Sequence, residues 1–236
     1  MHHVVLERWS RGESFLHARD ARVKVLVLLV YLVALATTTP MTATAGACYA
    51  ALVAAAIVAA RLPLAGLALR AATVLPFAGT FALFSVLAGD EARALSLVSK
   101  SYLSAAAVLT LAGTTPLPKL VRGLESLGVP RFLTLVIQFL YRYLFVISEQ
   151  AQHMRMAALA RGGGSLRLAH AAGAAATLFG RSYARAEGIH GAMLARGFEG
   201  RMELLAEARL GPADVLFLLG GAGLATVLRL AMGTLA

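Results

Sequence analysis

Residues Val25 to Thr39 read Val-Leu-Val-Leu-Leu-Val-Tyr-Leu-Val-Ala-Leu-Ala-Thr-Thr-Thr, and Pro40 closes the stretch. The stretch carries no charge, and with its flanks it approaches the roughly 20 apolar residues that a helix needs to cross a bilayer. Further stretches of this kind are Thr42–Ala60, Ala71–Ala88 with Pro76 inside it as an expected kink, Leu95–Gly113 and Ala213–Met232. The sequence therefore predicts an all-α, polytopic membrane protein with about five transmembrane helices.

The overall composition supports this fold class. Of the 236 residues, 59% are hydrophobic and 14% are charged, whereas a soluble domain carries roughly 25% charged residues. The net charge is +10, which in a soluble protein would suggest a nucleic-acid partner. In a membrane protein, Lys and Arg instead accumulate on the cytoplasmic side. We therefore expect this chain to be surrounded by a lipid bilayer, with no nucleic acid among its partners.

The distribution of positive charge predicts the orientation in the membrane. If the N-terminus is cytoplasmic and the chain crosses five times, only Arg93, Lys100 and Arg229 of the 22 Lys and Arg residues lie on or near the outer face. The reverse orientation would export almost all of the positive charge, against the positive-inside rule. We therefore predict a multi-pass protein of the cytoplasmic (inner) membrane whose N-terminus and polar region lie in the cytoplasm.

The long polar region of the chain predicts a helical hairpin. A short amphipathic helix over Pro118–Leu127 should precede two long helices, Pro130–Arg161 and about Ser165–Arg196. Glycines follow both long helices, at Gly162 and Gly197, and glycine is the usual residue just past a helix C-terminus. We therefore expect two consecutive helices with matching ends.

The first half of the hairpin leaves one alternative open. Phe132–Ile147 is apolar enough to be a sixth span, but it carries Arg142, and a charge at mid-bilayer costs about 2.5–3.5 kcal/mol. We interpret Pro130–Arg161 as one helix that starts near the membrane and emerges into the cytoplasm. The predicted organisation is a cytoplasmic segment over 1–24, a four-helix transmembrane region over 25–113, the cytoplasmic helices over 114–209 and a last transmembrane helix over 210–236.

The two hairpin helices end in nearly the same phrase. Ala157-Ala158-Leu159-Ala160-Arg161-Gly162 agrees with Ala192-Met193-Leu194-Ala195-Arg196-Gly197 at five of six positions. In an ordinary helix end, the Arg would complement the helix dipole and the Gly would cap the C-terminus. In a docking motif, small residues let the helix tip enter a groove, where the guanidinium offers up to five donors. Because the phrase occurs twice, we favour docking onto a two-lobed soluble partner, through Ala160, Arg161, Gly162, Ala195, Arg196 and Gly197.

Alanines recur at every fourth residue of the second predicted span. A stripe of small residues on one helix face lets another helix approach closely. That other helix can belong to this chain or to a separate membrane subunit, and the sequence leaves both readings open. The members of this alanine stripe are Ala43, Ala47, Ala51, Ala55 and Ala59.

The paired Ala-Arg-Gly phrases resemble the signatures of the transmembrane T component of energy-coupling-factor (ECF) transporters. The N-terminal run Trp9-Ser10-Arg11-Gly12-Glu13-Ser14, with Leu16-His17 and Asp20-Ala21-Arg22-Val23-Lys24 after it, is similar to the start of the cobalt branch, the CbiQ family. That family usually has Pro where this chain has Ala21. The resemblance extends from this N-terminal run to the last predicted span.

The resemblance implies partners and a role. T components bind two ABC-type ATPase subunits through coupling helices that end in these Arg motifs, and they hold a separate substrate-binding membrane subunit. ATP is bound by the ATPases, whose closure moves the coupling helices and reorients the substrate-binding subunit. In the cobalt branch the metal is bound by that subunit. The hairpin here would be the coupling-helix hairpin, and cobalt uptake the expected process.

The residues themselves predict no catalytic or cofactor site in this chain. Gly162-Gly163-Gly164-Ser165 lacks the Lys that ends a phosphate-binding loop. His153, His170 and His190 do not have metal-ligand spacing. Met1-His2-His3 could chelate a metal, but the predicted orientation places it in the cytoplasm, on the wrong side for capture. The predicted spans contain no internal acid–base groups, so we expect a non-catalytic subunit with no metal site.

Three other functions remain open at this point. The same coupling role could serve nickel or a vitamin instead of cobalt. A secondary transporter or channel acting alone would need charged or broken-helix sites within the spans, and the sequence offers little of this kind. A membrane-embedded enzyme would need an acid–base constellation, and the sequence shows none.

Overall fold

The computed structural model describes residues 9–10, 12–39, 41–162, 168–200 and 211–234, and within these ranges every long regular element is a helix. The described part of the chain contains helices and no strand, which confirms the predicted all-α fold class. The helices are α1 (Ala21–Thr37), α2 (Ala43–Ala59), α3 (Leu64–Ala71), α4 (Leu75–Leu87), α5 (Glu91–Thr114), α6 (Leu117–Ser126), α7 (Arg131–Ala160), α8 (Leu168–Ala195) and α9 (Pro212–Thr234).

Several of these helices begin at a side-chain cap that the sequence supplies. Asp20 accepts a hydrogen bond from the Arg22 N–H at 2.8 Å and starts α1. Thr42 accepts from the Ala45 N–H at 3.2 Å and starts α2. Asp, Ser and Thr side chains satisfy the free N–H groups of a first turn. The starts of α1 and α2 are thus fixed locally, next to the apolar stretches.

The third predicted span is longer than expected and is interrupted. It begins at Leu64 instead of Ala71, passes through a turn of 3₁₀ helix at Ala72–Val74 and continues as α4, which has Pro76 in its first turn. Proline lacks an N–H and is tolerated only near a helix start, which explains the break just before it. The predicted start was wrong because Arg70 was taken to lie outside the span.

Among the described residues, four helical segments are long and apolar enough to cross a membrane: Leu64–Leu87, which combines α3, the 3₁₀ turn and α4, and Glu91–Thr114, Arg131–Ala160 and Pro212–Met232. α1 and α2 have 17 residues each, which at 1.5 Å per residue is about 26 Å, close to the roughly 30 Å hydrocarbon core. The chain is a multi-pass membrane protein. α7 also contains a stretch long and apolar enough to cross a membrane, so its emergence into the cytoplasm stays a prediction.

The chain divides into two compact units, Met1–Leu127 with Ala208–Ala236, and Gly128–Glu207. The first unit therefore includes α6, which the sequence had grouped with the hairpin. A carbon at the Cβ position of Gly123 would lie only 3.2 Å from the Ala21 Cβ, so α6 packs directly against the start of α1. The described part of the second unit is formed mainly by the hairpin helices α7 and α8, which contact each other.

The core of the first unit surrounds α1, which contacts α5, α6 and α9. Two buried tyrosines meet there, with ring centroids 5.8 Å apart in an edge-on arrangement. The Tyr31 hydroxyl donates to the Tyr49 carbonyl at 3.4 Å, and the Tyr49 hydroxyl lies 2.9 Å from Thr38 Oγ1. Buried polar groups need such partners, because an unpaired one loses its hydration without compensation.

Candidate functional site

The first predicted docking tip lies at the end of α7. Arg161 is the C-cap residue, and its N–H donates to the Ala158 carbonyl at 3.2 Å. Gly162 follows with φ of +79°, and its N–H donates to the Leu159 carbonyl at 3.1 Å. Ala160, Arg161 and Gly162 are all exposed. The left-handed glycine turns the chain away immediately after the arginine, so Arg161 is presented at the end of the helix.

The second tip, at the end of α8, has a closely similar geometry. Gly197 has φ of +78°, its N–H donates to the Leu194 carbonyl at 3.0 Å, and the Phe198 N–H donates to the Met193 carbonyl at 3.0 Å. This pair of bonds is the Schellman pattern of a helix C-terminus. Ala195, Arg196 and Gly197 are exposed. Among the described residues, no carboxylate pairs with the guanidinium of Arg161 or Arg196.

A groove of about 690 Å³ lies between α7 and α8 beside the first tip. Arg161 and Arg181 both line it, and its lining contains no carboxylate, so it is suited to negatively charged groups. The sequence analysis missed Arg181, although the spacing of Gly173, Thr177 and Arg181 by four places them on one face of α8. The lining residues are Gln150, His153, Met154, Ala157, Ala158, Arg161, Gly173, Ala174, Thr177 and Arg181.

The alanine stripe of α2 faces outward. All five members, Ala43, Ala47, Ala51, Ala55 and Ala59, are exposed. The face that packs into the first unit is offset by two residues. It consists of Ala45, Tyr49, Val53 and Ile57, all of them buried. The stripe therefore does not pack inside the described part of this chain, and its face is open to lipid or to another subunit.

The N-terminal run that carries the family resemblance forms a hydrogen-bonded turn around His17. Its Nε2 lies 2.9 Å from the Trp9 carbonyl, and its Nδ1 lies 2.7 Å from the Ser14 hydroxyl. A carbonyl can only accept, so Nε2 carries the proton toward Trp9, and Nδ1 then accepts from the Ser14 hydroxyl. These bonds hold the His17 ring between the Ser14 side chain and the Trp9 backbone, which gives Ser14 and His17 a structural role.

Asp214 ties the start of α1 to the start of α9. Its Oδ1 accepts from the Asp20 N–H at 3.2 Å, and its Oδ2 accepts from the Gly211 N–H at 3.1 Å. Arg19 Nη1 lies 3.6 Å from the same carboxylate. Asp214 is 8% exposed, and a buried carboxylate is stable when hydrogen bonds and a cation surround it. The sequence analysis placed Asp214 at a span boundary and missed this contact.

Lys24, the last residue of the N-terminal run, is buried and ties α1 to the end of α5. Its Nζ donates to the Thr114 carbonyl at 3.1 Å and to the Thr115 hydroxyl at 3.0 Å. The ammonium thereby also lies at the C-terminal end of α5, where the helix dipole favours a cation. Lys24 acts as a structural cross-link between two helices.

A cation–π contact connects the same run to α3. The Arg70 guanidinium carbon lies 4.3 Å from the centre of the Trp9 ring. A carbon at the Cβ position of Gly66 would lie 3.3 Å from that ring, so glycine is the residue that leaves room for the indole. The N-terminal run therefore joins the ends of α1, α3, α5 and α9. We call this part of the run the platform, and its members are Trp9, Ser14, His17, Asp20 and Lys24.

Within the described ranges, no three His, Cys, Asp or Glu side chains are grouped as a metal site would require. Met1-His2-His3, the possible chelating terminus, lies outside the described residues, as do Gly163, Gly164 and Ser165 of the glycine-rich sequence. The described residues offer two surfaces suited to binding, which are the exposed arginines at the helix ends and the exposed alanine stripe of α2.

Comparison with known proteins points to one family. The family described as "CbiQ: Cobalt transport protein" matches residues 12–205. The chain is 32% identical over 117 residues to the cobalt transport protein CbiQ of Rhodobacter capsulatus, an alignment that covers 48% of each protein. It is 34% identical over 101 residues to an uncharacterised protein of Methanocaldococcus jannaschii, covering 42% of this chain and 38% of that protein. The chain thus matches about half or less of the length of these curated relatives.

Proposed function

This chain belongs to the CbiQ family of cobalt transport proteins, and we propose that it is the coupling subunit of an ATP-driven importer of the energy-coupling-factor type. In this role it binds neither ATP nor the transported metal. Two ABC-type ATPase subunits bind ATP, and a separate membrane subunit binds cobalt. The observation that carries the proposal is the pair of exposed arginines, Arg161 and Arg196, at two helix ends of closely similar geometry.

The two tips act as the docking points for the ATPase pair. Ala160 and Ala195 keep the last turn of each helix narrow, and Gly162 and Gly197 end the helix directly behind the guanidinium. Arginine suits this position, because its planar group forms paired hydrogen bonds to carboxylates or backbone carbonyls in a groove. Since the two tips end separate helices of one hairpin, each can engage one ATPase subunit, and closure of the ATPase pair would move the hairpin.

The groove beside Arg161 adds a second element to this docking surface. Arg161 and Arg181 line it together, and the described residues provide no carboxylate partner for either. An acidic side chain of the ATPase would therefore be received without displacing an existing ion pair. Complementary charge of this kind speeds association and selects the correct partner.

The alanine stripe is the proposed contact for the cobalt-binding membrane subunit. Its five members are exposed while the adjacent face of α2 is buried. In a bilayer, helix association depends on close packing, which small residues allow. The proposed orientation, with the N-terminus and the hairpin in the cytoplasm, places the arginine tips on the side where ATP is available.

The decisive experiment is a pull-down in detergent of this chain co-expressed with a candidate ABC ATPase. We expect the wild type to retain the ATPase and the double variant Arg161→Glu/Arg196→Glu to lose it, because the charge at both tips is inverted. The matched control is Arg155→Glu/Arg185→Glu, which makes the same charge change at one exposed arginine of each hairpin helix, away from the tips.

The control separates specific docking from a general effect of charge. Retention in the control together with loss in the tip variant would support the proposal. If the wild type retains no ATPase, or if the tip variant retains as much as the wild type, Arg161 and Arg196 are ordinary helix ends and the coupling role is refuted.

A further inference from the structure

Two cations from different helices meet at the last turn of α1, whereas the platform lies at the start of that helix. Lys100 of α5 donates from Nζ to the Ala36 carbonyl at 3.0 Å. Arg229 of α9 donates from Nε to the Thr37 hydroxyl oxygen at 3.0 Å. Because Ala36 and Thr37 are adjacent, these bonds bring an ammonium and a guanidinium to the same point on the surface of the first unit.

The bonds to α1 use only part of the positive charge and only some of the N–H donors of these two cations. A helix C-terminus carries roughly half a negative charge, which one nearby cation complements. Here two full positive charges are present. An ammonium has three N–H donors and a guanidinium five. Lys100 and Arg229 each use one of these donors in a hydrogen bond to α1. No other partner for these donors lies in the part of the chain that the structure describes, so several donors remain for a ligand.

No carboxylate neutralises this pair among the described residues. α1 contains no acidic residue, and neither does α2. On α5 the nearest acid along the helix is Glu91, nine residues from Lys100, which is about 14 Å along the axis. On α9 it is Asp214, fifteen residues from Arg229 and about 22 Å away, where it binds the other end of α1. Within the described ranges, no carboxylate therefore compensates the positive charge at this end of α1.

The surface around the pair is apolar. Val33, one turn before Thr37, is 61% exposed, and Leu230, next to Arg229, is 69% exposed. Both cations lie within helices that meet the criteria for membrane spans, and a charge near a bilayer is costly unless it is paired. A ligand that fits must carry a negative group for the cations and hydrocarbon for the apolar surroundings.

We propose that Lys100 and Arg229 bind the phosphate group of an anionic phospholipid at this end of α1, with Thr37 holding the Arg229 guanidinium in place. The remaining N–H donors of the two cations hold the phosphate oxygens, and the acyl chains lie along the exposed side chains of α1 and α9. With the N-terminus in the cytoplasm, the lipid belongs to the outer leaflet. The site is independent of the arginine tips and of any ATPase.

Native mass spectrometry of the delipidated protein in detergent tests the site directly. Phosphatidylglycerol and phosphatidylcholine with the same acyl chains are titrated separately, and the first bound lipid is quantified. We expect phosphatidylglycerol to bind more tightly than phosphatidylcholine. In Lys100→Gln/Arg229→Gln we expect a loss of about tenfold or more for phosphatidylglycerol, since two charge-assisted hydrogen-bonding groups are removed. Phosphatidylcholine has the same phosphate group, but its choline ammonium cancels the net charge, so its weaker binding should fall by less.

Two further variants keep the test clear of folding effects. Lys100→Arg/Arg229→Lys retains both charges and should keep the preference for phosphatidylglycerol. Arg93→Gln removes an exposed arginine in the first turn of α5, outside the site, and should bind as the wild type does. Equal affinity of the wild type and Lys100→Gln/Arg229→Gln for phosphatidylglycerol would overturn the proposal.

Inorganic phosphate distinguishes the lipid from a soluble anion. We expect phosphate alone to leave the apparent melting temperature of the wild type unchanged, because it gains nothing from the apolar surroundings. If phosphate raises that temperature in the wild type but not in Lys100→Gln/Arg229→Gln, the site takes a soluble phosphate and the assignment to a lipid is wrong.

Discussion

At the level of single residues, backbone conformation decides where the helices of this chain end. Gly162 and Gly197 adopt positive φ angles, which cost other L-residues roughly 1–2 kcal/mol, so both ends could be predicted from the sequence. α2 ends with the same bond pattern at Arg61, where φ is +54° and the Leu62 N–H donates to the Ile57 carbonyl at 3.1 Å. Without a glycine at that position, the sequence offered no sign of a left-handed residue there.

A single glycine also sets the distance between α1 and α9. A carbon at the Cβ position of Gly221 would lie 2.8 Å from Val27 Cγ1, closer than real side chains approach. We predict that Gly221→Ala destabilises the protein by about 1–3 kcal/mol, the typical cost of overpacking a well-packed contact. The measurement is the apparent melting temperature in detergent, which should fall.

Gly223 provides the matched control on the same helix. Nothing lies within 4 Å of its Cβ position, so Gly223→Ala should not lower the melting temperature. Adding Val27→Ala to Gly221→Ala should restore part of the loss by removing the group that clashes. A melting temperature in Gly221→Ala as high as that of the wild type would contradict the close approach of α1 and α9.

At the level of whole helices, the apolar stretches predicted most elements to within a few residues. Thr42–Ala60 became Ala43–Ala59, and Pro130–Arg161 became Arg131–Ala160. Prediction from apolar stretches fails where a charged residue lies within a helix and is packed against the protein. Arg70 was taken as a loop residue, yet it stacks on Trp9 within a helix, and so the predicted start of the third span was seven residues too late.

The exposed alanine stripe leads to a prediction for α2. Ala51→Leu puts a large side chain in the middle of the stripe, where close approach of a partner helix is required. We expect it to abolish co-purification of the proposed cobalt-binding membrane subunit and to leave retention of the proposed ATPase partner and the melting temperature unchanged. The readout is the amount of each partner recovered with affinity-tagged Ala51→Leu.

Ala50→Leu is the control for this prediction, because Ala50 is exposed on α2 but lies off the stripe. It adds the same bulk and should leave both partners bound. Equal loss of the membrane subunit in Ala50→Leu and Ala51→Leu would mean that bulk anywhere on α2 is disruptive. Normal recovery in Ala51→Leu would remove the stripe from the interface.

At the level of the whole molecule, the sequence shows which segments are apolar but not which distant residues meet. The Asp20 N–H and the Asp214 carboxylate are 194 positions apart and yet bonded, and Lys24 reaches the end of α5 across 90 positions. These contacts depend on helix packing, which no local pattern encodes. The exposed arginine tips could be found because they repeat in sequence, whereas Arg181 becomes notable only once α7 and α8 lie side by side.

The orientation of the whole chain can be tested with single cysteines. Cys48 is the only cysteine, so a Cys48→Ala background makes each introduced thiol unique. Ser148→Cys on α7 and Glu91→Cys at the start of α5 are both exposed positions. With the N-terminus in the cytoplasm, an impermeant thiol reagent added to intact cells should label Glu91→Cys only, and Ser148→Cys should react after the membrane is permeabilised. Labelling of Ser148→Cys in intact cells would instead mean that α7 crosses the membrane. The predicted topology, which places the arginine tips in the cytoplasm, would then be wrong.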